Sequence, residues 1–503
     1  MSGSVGFKYF PASTFRPSGV YNEFDPSQAN TATQNQRALI VGQVLSTGTA
    51  VANTPVMAYS MAQVNTLCGN NSMLALMYAA YRLQDPFGEC WIGPVADNSG
   101  GSVGTGTITL TGPASAPGTL SLYVMGVPVP VAVNSGDTAT AIGANAVIAF
   151  NAAFGICATA TAAVGVVTIT AAHKGLALND VDLRINYHGA QNGEVTPPGV
   201  TVTFNNALGS GGTLSGGATN PILTTLLANL GVQTFDFIAF PYTDATSLTA
   251  IEGFLNDSAG RWSAIEMLYG HAFTADRGTV SARGTFGNGR NSQHVTCLGF
   301  YDSPTPAWLE AADWTGAHAI RLRVNPAGGL SGQALNLLAP PVASQDNPGN
   351  RNVLLYDGIS TFNVSPANVC SIDRSITMYQ TNPSGQIDNS YLSTNLLFQA
   401  AYSSRYIQSQ LSSQFIAAGK ILVANGTPIP MGAPATTPNL IFQSVVAMYS
   451  YLSSIFIVQN PQKFASAGYA TTGQKGQVLL YLPFDFADQV IQIAAVIQFQ
   501  QST

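Results

Sequence analysis

The order of short apolar segments constrains this chain most. Residues 37–43 (RALIVGQ) read as a short buried strand. Residues 60–83 follow with apolar side chains at helical spacing (Met61, Val64, Leu67, then Leu74, Met77, Tyr78 and Tyr81), broken near Gly69. The turn Asp85-Pro86-Phe87-Gly88 leads into a second strand at 89–95. Strand, helix, strand in that order predicts a parallel α/β layer. The alternation then stops. From about 100 to 217 the chain is rich in Gly, Ala, Thr and Val, with strands expected at 106–111, 119–133, 164–171, 181–187 and 200–205 and one helix at 138–153. Only Lys174, Arg184, Asp137, Asp180, Asp182 and Glu194 carry charge there, so the stretch reads as a β-rich domain inserted into the layer.

After the insertion the alternation resumes. A helix is expected at 223–230, a strand at 235–241 (FDFIAFP), a helix at 247–256, strands at 264–271 and 295–301, and a helix at 306–317. A last domain begins at about 351. It ends in 478–483 and then 489–500, where Ile491, Ile493, Ala495, Ile497 and Phe499 share one face at period two. That segment is read as a strand; without Lys or Pro to blunt an edge, it is expected to be central or paired. Residues 1–30, with Pro11, Pro17 and Pro26 and no apolar period, read as an extended arm. The expected fold class is α/β and α+β multidomain. Its parts are an arm (1–30), a discontinuous α/β core (31–100 and 218–350), an inserted β-rich domain (101–217) and a C-terminal α+β domain (351–503) that ends in a strand or arm.

Charge narrows the function. Asp, Glu, Lys and Arg make up 8% of the chain, with 18 basic and 24 acidic residues and a net charge of −6. Soluble domains ordinarily carry roughly a quarter charged residues. Charge keeps a large free surface soluble and monomeric, so a chain that has shed it is expected to place much of its surface against other protein. No basic stripe suited to nucleic acid is visible. The five cysteines (Cys68, Cys90, Cys157, Cys297 and Cys370) are scattered with no CxxC pair, which predicts reduced thiols and a cytoplasmic site of synthesis. No signal peptide is legible in the first residues, and the apolar stretch at 444–458 is too short to span a bilayer.

Catalytic motifs are scarce. The closest approach to a phosphate loop, Gly468 to Gly476, places Gln474 where the motif needs lysine, and Gly476 follows Lys475 where it needs Ser or Thr. It is therefore read as a flexible loop. No strand-to-helix nucleophile elbow, H-E-x-x-H helix or dinucleotide fingerprint is read in the chain. His271, His294 and Asp244 lie at expected strand ends and are the best catalytic candidates, although Asp244 suits a helix cap equally well. Seven of the eighteen basic residues are arginines between 261 and 351, which suit buried ion pairs within the chain or between subunits alike.

An ordered series of motifs then resembles one family. FDFIAFPYTD at 235–244, Gly260-Arg261-Trp262-Ser263, Tyr269-Gly270-His271, Gly289-Arg290-Asn291 with His294, Asp302-Ser303-Pro304-Thr305-Pro306 and LLYDGIST at 354–361 follow one another as in the tail sheath proteins of Mu-like phages. IDRSITMYQTNPSGQIDNSYL at 372–392 is the most distinctive match, and Gly19-Val20-Tyr21 with Glu23 and NNSMLALMYAAYR at 70–82 fit the same series. The resemblance spans nearly the whole chain.

The resemblance implies a non-enzymatic subunit with no cofactor and no metal. Such subunits stack as hexameric rings around a tail tube, and contraction drives that tube through the host envelope during genome ejection. The implied partners are further copies of the chain, the tail tube protein, and the baseplate and tail terminator proteins, with no nucleic acid and no membrane insertion. The implied location is the virion, after assembly in the host cytoplasm. The α/β layer becomes the sheath core, the insertion an outward domain and the C-terminal domain the part nearest the tube. Strand exchange between subunits is expected through Val20, Tyr21, Ile491, Ile493, Ile497 and Phe499. Arg374, Arg405, Lys420, Lys463 and Lys475 are the expected tube-facing or interface charges. The alternatives are another self-assembling protein (a tail-like bacteriocin sheath, a surface layer or a capsid) and an α/β enzyme using His271 and Asp244.

Overall fold

Strand β1 (Ala38–Gln43) is buried at every position, as its unbroken apolar run requires of a strand covered on both faces. The computed structural model describes residues 36–499, and the unit considered below begins at Arg37. The arm expected at 1–30 lies outside the described residues. Strand β2 (Val56–Ala58), helices α1 (Met61–Cys68) and α2 (Met73–Gln84) and strand β3 (Cys90–Val95) follow β1. The helical run expected over 60–83 is thus two helices. Gly69 ends the first with a φ of 84°, and the Ser72 hydroxyl starts the second by accepting from the Ala75 amide at 3.2 Å.

The inserted segment builds two antiparallel sheets. It comprises β4 (Val103–Leu110), β5 (Gly118–Val124), β6 (Val127–Val133), α3 (Ala139–Ala152), β7 (Ala158–Ala163), β8 (Val166–Lys174), β9 (Asp182–Ile185), β10 (Val202–Phe204), β11 (Ala207–Leu208) and β12 (Gly211–Thr213). One sheet has the order β10-β4-β8-β7 and the other β11-β12-β9-β5-β6. Burial alternates along β4 and β8, which marks strands with one face on a core and one toward water. The single strand expected at 119–133 is a hairpin, because Met125 and Gly126 both take positive φ and form a two-residue turn.

The chain then returns to the central sheet through α4 (Thr224–Asn229), β13 (Phe237–Ala239), α5 (Ala245–Leu255), β14 (His271–Arg277), α6 (Val280–Asn288), β15 (Val295–Phe300) and α7 (Ala307–Leu322). The sheet order is β15-β14-β13-β1-β3-β2, parallel throughout except for β2. The strand expected at 264–271 begins only at His271. Upstream of it the chain turns back on itself, with the Leu268 and Tyr269 amides donating to the Arg261 carbonyl. Helix α6 escapes the apolar pattern because it has few apolar side chains to show one.

Strands β16 (Ala334–Leu335), β17 (Thr361–Val364) and β18 (Cys370–Arg374) form a small antiparallel sheet, with α8 (Pro348–Tyr356) between the first two in sequence. The main hydrophobic core runs on through Ile359, Ile372 and Met378 to Phe398, so packing is continuous across the boundary expected near 351. The change of core falls inside α9 (Thr394–Leu411). Its first half packs with the central sheet, and its Ile407 joins a second cluster with Phe442, Val445, Tyr449, Leu452 and Phe464. That module also holds β19 (Ile421–Leu422), β20 (Ala435–Thr436), α10 (Pro438–Ser454), α11 (Pro461–Ala467), β21 (Tyr469–Thr472) and β22 (Val478–Tyr481). The Gly468–Gly476 stretch read as a flexible loop is instead strand β21 and the turn that joins it to β22.

Candidate assembly surfaces

The candidate catalytic residues are engaged in hydrogen bonds within the fold. His271 is buried at the start of β14, and its Nε2 meets the Thr296 hydroxyl at 2.7 Å. Thr296 contacts Thr394 at 3.0 Å, Thr394 contacts Ser375 at 2.9 Å, and Ser375 contacts His318 Nε2 at 2.7 Å. This buried polar chain joins β14 and β15 to α7 and the start of α9. Burial lowers His271 well below the usual histidine range and takes His318 down to about 3, so both rings are neutral near pH 7. Asp244 caps α5 by accepting from the Ser247 amide at 3.1 Å and holds Asn220 at 2.6 Å. Those hydrogen bonds outweigh desolvation and keep its carboxyl below the usual range. Asp244 and His271 line separate cavities, so the fold does not bring the two together. His294 stacks on Trp262 and contacts Asp257 at 2.8 Å. No group of three or more His, Cys, Asp or Glu is placed to hold a metal among the described residues, and none of their helices is long and apolar enough to cross a membrane.

The arginines between 261 and 351 are occupied within the subunit. Arg283 grips Asp346 with two hydrogen bonds of 2.7 and 2.8 Å, and Arg277 pairs with Asp180 at 2.5 Å. Arg261 donates to the backbone carbonyls of Tyr269 and Gly231, and Arg321 to the Gln333 side chain. Arg290, Arg323 and Arg351 pair with Glu252, Asp85 and Asp373. Arg184 of the inserted segment joins them. It holds Asp182 at 2.7 Å and reaches Asp302 of the central unit at 2.9 Å. These buried pairs fasten the insertion to the α/β layer. Only their shape in three dimensions reveals them, since partners such as Arg184 and Asp302 are far apart in sequence.

Of the expected interface charges, Arg405 is buried in the subunit. It is 7% exposed on α9, bonded to Asp236, 3% exposed beside β13, and its Nη2 donates to the Leu268 carbonyl at 3.1 Å. A guanidinium so enclosed presents no charge outward. Arg374 is half-buried on β18. Lys420 and Lys475 are exposed, and Lys463 is exposed with a loose 3.8 Å approach to Asp485.

The unsatisfied surface lies in the second module. Hairpin β21–β22 is a sheet of two strands, so each strand keeps one unpaired edge. Its inner face sets Ala470 and Leu480 against the small core, while Tyr469, Leu479 and Tyr481 stand exposed. Two-stranded sheets are marginal by themselves and accept further strands. The chain is last fixed to the module at Ala487, whose amide donates to Ile457 and whose carbonyl accepts from Gln399. From there to 499 it forms no strand, which corrects the expectation of a paired strand for the subunit alone. Ile491, Ile493, Ile497 and Phe499 are exposed, Ile493 at 85% and Phe499 at 96%. Val20 and Tyr21 lie outside the described residues.

Solved structures similar to this chain are sheath components at low sequence identity. The sheath tail protein Lin1278 from Listeria innocua is 11% identical, with a TM-score of 0.48, covering 91% of this chain and 93% of that one. The sheath complex of an extracellular contractile injection system, the PVC sheath in its contracted state, is 10% identical with a TM-score of 0.43, covering 97% and 98%. Residues 216–378 match the family model described as the phage tail sheath protein central domain. The Mu-like prophage FluMu tail sheath protein of Haemophilus influenzae (strain KW20 / Rd) is 30% identical over 463 residues, 92% of each chain. With likeness of that extent along the whole length, this chain belongs to the tail sheath proteins of Mu-like phages.

Proposed function

We propose that the chain is the repeating subunit of a contractile sheath, stacked in hexameric rings around a tail tube between a baseplate and a terminator. Contraction is then a change between two packings of the same subunits, and no nucleotide is consumed. The observation that carries the reading is the pairing of an open hairpin with an unpaired apolar tail on one module. A tail that leaves its own subunit and adds to the β21–β22 edge of the next links copies through backbone hydrogen bonds. Such head-to-tail links do not close, so they generate a helix.

In this assembly the central layer and its insertion move as one body, supported by the buried Arg184–Asp182–Asp302 pairs. The second module, joined through α9, carries the exchanged strands nearest the tube. Its outward charges are few, with Lys420, Lys463 and Lys475 available to meet acidic groups there. Cysteine pairs test the tail assignment. Leu479→Cys combined with Ile493→Cys is expected to give ladders of disulfide-linked subunits in oxidised polymer. Intrachain bonds alone, in polymer that is otherwise normal, refute the exchange.

A further inference from the structure

A cavity of about 360 Å³ lies between the inserted segment and the carboxyl ends of β13 and β14. Open α/β sheets bind ligands at that end, beside the point where successive crossovers diverge. Here β3 lies on one side of β1, and β13 and β14 on the other, and the cavity sits at the ends of β13 and β14, one strand from that point. Its apolar wall includes Leu176, Leu208, Leu214 and Trp308. Three carboxyl groups line it, and two are fully engaged. Asp180 is held by Arg277 and by the Ala307 amide, both at 2.5 Å, and Asp244 by Ser247 and Asn220.

Asp276 is different. Among the described residues it has no hydrogen-bond or ion-pair partner, although it sits next to the engaged Arg277. Burial, reinforced by the nearby Asp180 charge and only partly offset by Arg283, pushes its carboxyl up to about 7. An unmatched carboxyl thus lines a cavity with aliphatic walls. A lone metal ion fits poorly, because no cluster of three ligands is available among the described residues.

We propose that this cavity binds a small aliphatic amine. The ammonium group donates to Asp276, and the methylene chain lies along the leucines. Because the walls come from both the inserted segment and the central layer, the ligand fastens one to the other. It binds the folded subunit selectively and so raises its melting midpoint.

The test is thermal melting of the full-length protein with 4-amino-1-butanol, against 1-butanol as the uncharged control. At saturating amino alcohol the midpoint is expected to rise by roughly 3 °C. 1-Butanol should leave it unchanged. Asp276→Asn, with circular dichroism to confirm folding, should lose the rise. Ala177→Trp, which fills the cavity from the inserted segment and leaves the Asp276 carboxyl in place, should lose it as well. No rise in the native protein, an equal rise with 1-butanol, or a rise that survives both substitutions overturns the proposal.

Discussion

Replacing Arg405 by methionine tests how the second module is tethered to the central layer. Arg405 and Asp236 are both more than nine-tenths buried, and their bond links α9 to the residue preceding β13. The guanidinium also donates to Leu268 and lies 5.1 Å from the centre of the Tyr269 ring. Removing one partner of a buried pair costs about 3–5 kcal/mol, because the other charge stays buried and uncompensated. Asp236 is especially exposed to this loss, since its second oxygen already has no partner. Arg261 lies close enough to interact with Asp236, and although burial lowers its guanidinium to about 10 it stays charged near pH 7. It offsets part of the loss, which sets the expected cost near the lower end, about 3 kcal/mol. If the roughly 460 residues from Arg37 onward melt together, about 2.1 cal/mol/K per residue gives an unfolding entropy near 1 kcal/mol/K. Arg405→Met should then lower the calorimetric midpoint by about 3 °C. The double variant Asp236→Asn with Arg405→Met should recover at least half of that, because it removes the stranded charge. A single variant within 1 °C of the native protein, or a double variant no better than the single, refutes the reasoning.

Three other perturbations follow from the packing. A Cβ at Gly316 would lie 2.8 Å from both Gln84 Cβ and the Tyr81 carbonyl, so Gly316→Ala should force α2 and α7 apart at a cost of about 1–3 kcal/mol in urea unfolding. Asp302→Ala strips Arg184, Ser210 and Ser344 of an acceptor, and hydrogen exchange should rise in β9 and β12 before it rises in β1. Burial and the nearby Asp180 charge raise the Asp276 carboxyl in the fold from the usual carboxylate range to about 7, so its protonated form favours the fold and stability is lost as pH climbs across that window. Asp276→Asn should therefore gain stability over the native protein at pH 8 and show little advantage at pH 4, as read by urea midpoints.

The central layer was legible because its strands are continuous apolar runs, such as FDFIAFP, and its caps use ordinary residues, such as Asp244. The insertion was legible as a change of composition. Its hairpin at Met125-Gly126 was missed because apolar character continues through the turn. The start of β14 was misplaced because apolar residues at 264–269 belong to a loop built on the Arg261 backbone. The change of hydrophobic core within α9 was not legible, because a core boundary that falls inside one helix leaves no linker in the sequence. Arg405 illustrates the limit for sites. A charge on an amphipathic helix looks solvent-facing until its partner, Asp236, arrives from far away in the chain.

Electron microscopy of the purified protein, full length and cut after residue 487, tests the central claim most directly. The full chain should form long hollow helical tubes in both low and moderate salt, since the proposed links are backbone pairs and uncharged packing rather than exposed charges. The shortened chain, folded as judged by an unchanged melting curve, should remain as single subunits or short stacks. Tubes of normal length from the shortened chain, or full-length tubes that dissolve in moderate salt, would contradict the account.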